Sequence, residues 1–89
     1  MMNDQNTYGS NATAKATASS DTAAAMLRTL SQREREVFHW ICEGKRDREI
    51  AQILGISYRT VTVHVRAILQ KLCVENRTCA AMVWARANA

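Results

Sequence analysis

From Ser31 onward, apolar residues return at three- and four-residue intervals, the period of a helix with one buried face. Ser31 followed by Glu34 is a capping-box signature, in which each side chain satisfies a backbone N–H that a helix start leaves unpaired. Val37, Phe38 and Ile41 mark an inner stripe flanked by Glu34 and Trp40, and Gly44 is a natural stop. A first helix is therefore predicted over 32–43. Asp47 suits the cap of a second helix, with Ile50, Ala51 and Leu54 on one face and Gly55 at its end. At about two turns it is too short to persist alone and must be held by packing. Gly55-Ile56-Ser57 reads as a tight turn. Ser57 then caps a third helix whose inner stripe is Val61, Val65, Ile68, Leu69 and Leu72. Asn76 caps a fourth helix, through about Arg86 and carrying Ala80, Met82, Val83 and Trp84.

Upstream the pattern is absent. Residues 1–25, mostly Asn, Thr, Ser, Ala and Gly, have too little to bury to offset their ordering entropy and are predicted to form a disordered tail. Ala23 to Leu30 reads as a short helix-prone leader, with Met26, Leu27 and Leu30 able to pack on a domain spanning 26–89. Among 89 residues there is no Pro and only three Gly, so the fold class is all-α: one small four-helix domain.

Charge adds a partner. The net charge is +4, and residues 1–30 balance at zero, Lys15 and Arg28 against Asp4 and Asp21, so the whole surplus lies in 31–89. A basic folded part points to a polyanion, with nucleic acid ahead of an anionic membrane surface. Cys42, Cys73 and Cys79 are odd in number and lack CxxC spacing, which fits reduced packing thiols and neither a disulfide framework nor a zinc site. No apolar run approaches a membrane span and no signal-peptide core is present, so a cytoplasmic protein without membrane association is expected. The sequence holds no nucleophile–base pairing, carboxylate pair or phosphate loop. An enzymatic role, a cofactor and a metal site are therefore not expected.

A short capped helix, a turn, then a longer helix is a helix-turn-helix arrangement. The first helix braces on the phosphate backbone, and the second enters the major groove. From Ser57 to Leu72 the charged residues are Arg59, Arg66 and Lys71, all positive, as suits a groove walled by phosphates. Arg59 and Arg66 are expected to touch DNA, at guanine edges or at phosphates. Val63, an outward apolar residue, suits a thymine methyl group, with Thr62 beside it. Other positions stay open between two readings. Thr60 is a phosphate ligand or a helix-start residue bonding its own backbone; His64 is a phosphate donor or a half-buried packing group. Lys45, Arg46 and Arg48 form a phosphate clamp or a solvated basic loop. Met82, Val83 and Trp84 form a dimer patch or close the monomer core. His39 reads as a surface residue.

The stretch LSQREREVF, followed by EGKRDREIAQILGISYRTVTVHVRAILQKLCVENRT, resembles the DNA-binding domain of LuxR/GerE-type transcription regulators over Leu30 to Ala85. WICEGK is most similar to the quorum-sensing branch. The resemblance implies four helices, the third reading double-stranded DNA and the fourth forming a dimer contact. Residue by residue, it implies that Arg33 and Glu34 brace the interior, and that Glu49, Ile50, Ala51 and Leu54 form the EIA..L helix. Thr60, Val61, His64, Lys71 and Leu72 match the TV..H......KL signature, with Asn76 and Arg77 as the pair before the last helix. The implied DNA-binding set is Lys45, Arg46, Ser57, Arg59, Thr60, Thr62, Val63, His64, Arg66 and Lys71. The implied dimer interface is Cys79, Met82, Val83, Trp84 and Arg86.

Three positions depart from the family pattern: Thr62 where Lys is common, Cys73 where Gly is common, and Trp84 where a small residue is usual. No sensor or phosphoacceptor domain is recognisable in residues 1–30. The expected function is a standalone, dimeric, sequence-specific DNA-binding regulator, with RNA polymerase a further partner. The rival is a sensor-less module that pairs with and modulates a full-length LuxR-type relative.

Overall fold

The computed structural model describes residues 20–89. Five helices follow in order: α1 Ser20–Leu27, α2 Gln32–Cys42, α3 Asp47–Leu54, α4 Tyr58–Lys71 and α5 Arg77–Ala87. All regular structure among the described residues is helical. The tail expected over residues 1–25 lies, as far as residue 19, outside the described residues.

Its last six residues belong to α1 instead. An alanine run favours helix, and Asp21 in the first turn complements the positive end of the helix dipole. Eight residues do not hold a helix by propensity alone. Packing supplies the rest: α1 lies on α5, Ala23 is fully buried, and Met26 and Leu27 rest against the same core. The small Ala23 side chain lets the two helices approach closely.

The start of α2 is the predicted capping box. Ser31 Oγ accepts the Glu34 N–H at 3.2 Å, and the Ser31 N–H donates to Glu34 Oε1 at 2.8 Å. Glu34, Val37, Phe38 and Ile41 are buried along one side. Gly44, at φ 82°, turns the chain toward α3, where a side chain would be strained. Asp47, read as a cap, is instead the first residue of α3, and the extended Arg46 holds the cap position. The Glu49 carboxylate accepts the Arg46 N–H at 2.7 Å, so the position is closed from inside the helix. Asp47 is committed elsewhere, to Arg77.

The centre of the fold is α4, which packs against α2, α3 and α5. Val61, Val65, Ile68 and the following Leu72 are buried on one stripe, meeting Val37 of α2, Ile50 of α3 and Ala80 and Val83 of α5. Val83, one of the expected dimer residues, is therefore part of the monomer core. Burial also pushes the Cys42 thiol up to about 11, with the Glu43 charge adding to the effect, so this cysteine stays protonated as a small packing group. Cys73, expected to pack, is exposed.

After Leu72 the chain turns through Cys73 at φ 56°, the left-handed region, while the Val74 N–H donates to the Leu69 carbonyl at 3.0 Å. A β-carbon there costs roughly 1–2 kcal/mol, of which glycine's extra backbone entropy would return only part. Cys73→Gly is expected to stabilise the domain by about 0.5–1 kcal/mol. Thermal melts followed by circular dichroism should show a higher Tm; an equal or lower Tm would mean the turn is unstrained.

Candidate nucleic-acid interface

Because one stripe of α4 is buried, the opposite side is fixed outward. Arg59, Val63 and Arg66 are exposed along it, at successive helical turns, and Val63 is 57% exposed. Neither arginine has a hydrogen-bond or ion-pair partner among the described residues. Thr62 is half-buried and its hydroxyl donates back to the Tyr58 carbonyl at 3.1 Å. His64, in the middle of α4, is half-buried.

The helix start is closed by Ser57, whose Oγ accepts the Thr60 N–H at 3.0 Å and lies 2.8 Å from the Thr60 hydroxyl. Thr60 bonds its own helix start and is also exposed. Opposite, across the turn, Arg46 and Arg48 are exposed and Lys45 is half-buried at the head of α3. The Arg48 guanidinium lies 4.7 Å from the centre of the Tyr58 ring, a cation–π contact joining the two helix starts. Tyr58 is 48% exposed at the first position of α4 and was missed in the sequence. Arg48 and Tyr58 are brought together only by the turn, so no helical spacing announces the pair.

The acidic groups nearby are engaged within the protein. Arg77 holds Asp47 at 2.6 Å, and Glu49 caps α3. Lys45, Arg46, Arg48 and Arg77 outnumber these two carboxylates, so the net charge of this corner is positive. A phosphate approaching both helix starts meets arginines and unpaired helix N–H groups.

Lys71 is placed differently from the rest of the expected set. It lies at the far end of α4 and its Nζ donates to Glu34 Oε1 at 2.7 Å, tying α4 to α2. Arg33, expected to brace the interior, is exposed and pairs with Glu36 on its own helix at 2.7 Å. His39 is exposed with its ring edge-on to Trp40. Of the expected dimer residues, Met82 and Trp84 are exposed, Cys79 and Arg86 half-buried, and Val83 buried.

Fold and face together define a helix-turn-helix DNA-binding domain. The chain belongs to the luxR family of bacterial regulatory proteins, whose GerE family model matches residues 28–84. It is 47% identical over 53 residues to the transcriptional activator protein AnoR of Acinetobacter nosocomialis, covering 60% of this chain and 22% of AnoR. It is 40% identical over 55 residues to the nitrate/nitrite response regulator protein NarP of Escherichia coli, 62% of this chain and 26% of NarP. To the quorum-sensing regulator RhlR of Pseudomonas aeruginosa it is 48% identical over 52 residues, 58% of this chain and 22% of RhlR. The chain thus spans about a fifth to a quarter of the relatives it matches. The matched segment starts after α1, leaving that helix outside the family match.

The Glu34–Lys71 tie sets a pH dependence. Burial raises the Glu34 carboxyl, but the Lys71 ammonium and the Ser31 N–H and hydroxyl outweigh it, so its pKa lies below the ordinary 4.5. A carboxyl lowered on folding stabilises the fold above its unfolded value, and that contribution disappears as pH falls through the lowered value. Wild type should exceed Glu34→Gln by about 1–2 kcal/mol at neutral pH, since Lys71 is partly solvated and the amide retains one cap acceptor. Urea melts at neutral pH and near pH 3 should show that gap closing; a gap independent of pH would exclude the charged pair as its source.

Proposed function

We propose that this chain is a sequence-specific transcription regulator of the cytoplasm that binds double-stranded DNA as a homodimer, with α4 in the major groove. The observation that carries the reading is the outward side of α4, where Arg59, Val63 and Arg66 stand exposed on a helix without an acidic residue. Arginine supplies bidentate donors for guanine, and an outward valine suits a thymine methyl group. Ser57, Thr60 and His64 lie near the backbone entering the groove, and Lys45, Arg46 and Arg48 at the head of α3 serve phosphates rather than bases. Lys71 supports the fold through Glu34 and is not part of the contact set.

Dimerisation rests on α5. Trp84 and Met82 are 48% and 49% exposed, large apolar groups that favour a covered surface. Cys79 and Arg86 flank them, whereas Val83 belongs to the core beneath. Two copies joined there would present two α4 helices to major grooves about one helical turn, roughly 34–36 Å, apart. The described residues enclose their own core, which supports a DNA-binding domain that folds by itself. The Trp84 and Met82 patch equally fits the last helix of a related LuxR-type regulator. In that second reading the chain modulates a full-length relative; RNA polymerase is a further partner in either reading.

Selection of bound sequences from a random DNA pool at about 150 mM salt, where non-specific phosphate binding is strongly weakened, tests the proposal. A two-fold symmetric site is expected, and Trp84→Ala should sediment as a monomer with unchanged helicity and lose at least about tenfold in affinity for that site. Recovery of no motif would reject autonomous DNA reading in favour of the heterodimer.

A further inference from the structure

We infer that Arg77 is a positioning residue for DNA binding, fixing the phosphate-facing loop at the head of α3 to the start of α5. The inference rests on the DNA-binding reading above and concerns a residue that the reading leaves unused.

Arg77 is the first residue of α5. Its Nη1 donates to Asp47 Oδ1 at 2.6 Å and its Nη2 to the Lys45 carbonyl at 2.8 Å. One planar guanidinium thereby grips a side chain and a backbone group two residues apart, which fixes the loop's orientation as well as its distance. The pair is partly buried, with side-chain exposures of 37% for Arg77 and 19% for Asp47.

The loop has need of such a tie. It enters through Gly44 at φ 82°, and Arg46 at the cap makes no side-chain cap bond. Its other anchors are all made by its backbone: the Gly44 N–H on the Ile41 carbonyl at 3.0 Å, the Lys45 N–H on the Trp40 carbonyl at 2.9 Å, the Arg46 N–H on Glu49, and the Arg46 carbonyl, which accepts the Ile50 N–H at 2.9 Å. Arg46, Arg48, Tyr58 and Arg77 line one open recess between the starts of α3 and α4, together with the carboxylates of Asp47 and Glu49. Arg77 thus lines the same recess as the phosphate-facing arginines while its guanidinium is committed to Asp47 and the Lys45 carbonyl.

Two consequences follow. The carboxylate of Asp47, which on its own would repel a phosphate at the head of α3, is neutralised. The loop that carries Lys45 and Arg46 also becomes rigidly joined to the helix that carries Trp84 and Met82. Phosphate grip and dimer geometry are then set by one side chain.

Removing Asp47 separates this role from simple charge. Asp47→Ala makes the protein more positive, so charge alone predicts tighter DNA binding. Loss of the tie predicts weaker binding. The probe is a random-sequence duplex of about 30 base pairs, titrated by fluorescence anisotropy from about 50 to 200 mM salt, because non-specific affinity reads phosphate contacts without an operator.

Asp47→Ala and Arg77→Met are each expected to bind about 3–10-fold more weakly and to flatten the salt slope by about 1, one phosphate contact. Arg77→Lys, which keeps the charge but lacks the fork, should fall between them and wild type. The double variant should be no weaker than the weaker single, as for residues acting through one tie. Circular dichroism melts set a temperature at which each variant is folded. If Arg77→Met does not fold, Arg77→Lys and Asp47→Ala carry the test. Tighter binding by Asp47→Ala, or unchanged affinity and slope in the folded variants, overturns the positioning role while wild-type binding upholds the DNA reading. Wild-type protein that binds no duplex overturns both.

Discussion

A helix packed on three sides has only one side left to offer. In α4 the buried stripe of Val61, Val65, Ile68 and Leu72 meets α2, α3 and α5 together, and rotation about the helix axis would pull several of these groups into water. Fully burying one such side chain contributes about 1.5–3 kcal/mol, so a rotated α4 would forfeit a large share of the stability of a domain this small. The direction of Arg59, Val63 and Arg66 is thus set by residues on the far side of the helix. A DNA-reading face needs this fixity, because base contacts tolerate little misalignment of the element that carries them.

Polar ties then set the remaining elements around α4. Ser31 and Glu34 begin α2, and Glu34 also receives Lys71 from the far end of α4. Asp47 and the Lys45 carbonyl receive Arg77 from α5. The Lys71 and Arg77 ties join segments distant in sequence, and each uses a charged group whose partner sits in a partly buried site. Such pairs are costly to break one-sidedly, since the remaining charge is left poorly solvated. They act here as fasteners of orientation, with the apolar stripe supplying most of the burial.

Much of this was legible in the chain. The helical spacing from Val37 to Leu72, the Ser31–Glu34 box, the Ser57 and Asn76 caps and the two glycine turns all state local rules, and the structure follows them. The left-handed turn at Cys73 was visible as a departure from the glycine common in the family. What the sequence concealed were pairings made by the tertiary fold. Lys71 lies on the signature-bearing helix, and no local spacing announces that Glu34, thirty-seven positions away, is brought beside it. Asp47 looks like a cap until Arg77 takes its carboxylate. Val83 alternates with exposed neighbours and reads as interface until the core closes over it. Helix α1 was obscured because alanine is ambiguous: Ala23 is too small to announce burial, yet its smallness allows close packing on α5.

The most direct examination of the DNA-reading face is to follow backbone amide resonances while a duplex carrying the selected site is added. The largest shifts should fall at the heads of α3 and α4, over residues 45–48 and 57–66, with α1 and the Glu34–Lys71 corner nearly silent. Shifts confined to α1 and α5, with α4 unmoved, would contradict a groove-reading role for α4 and assign the nucleic acid to another surface.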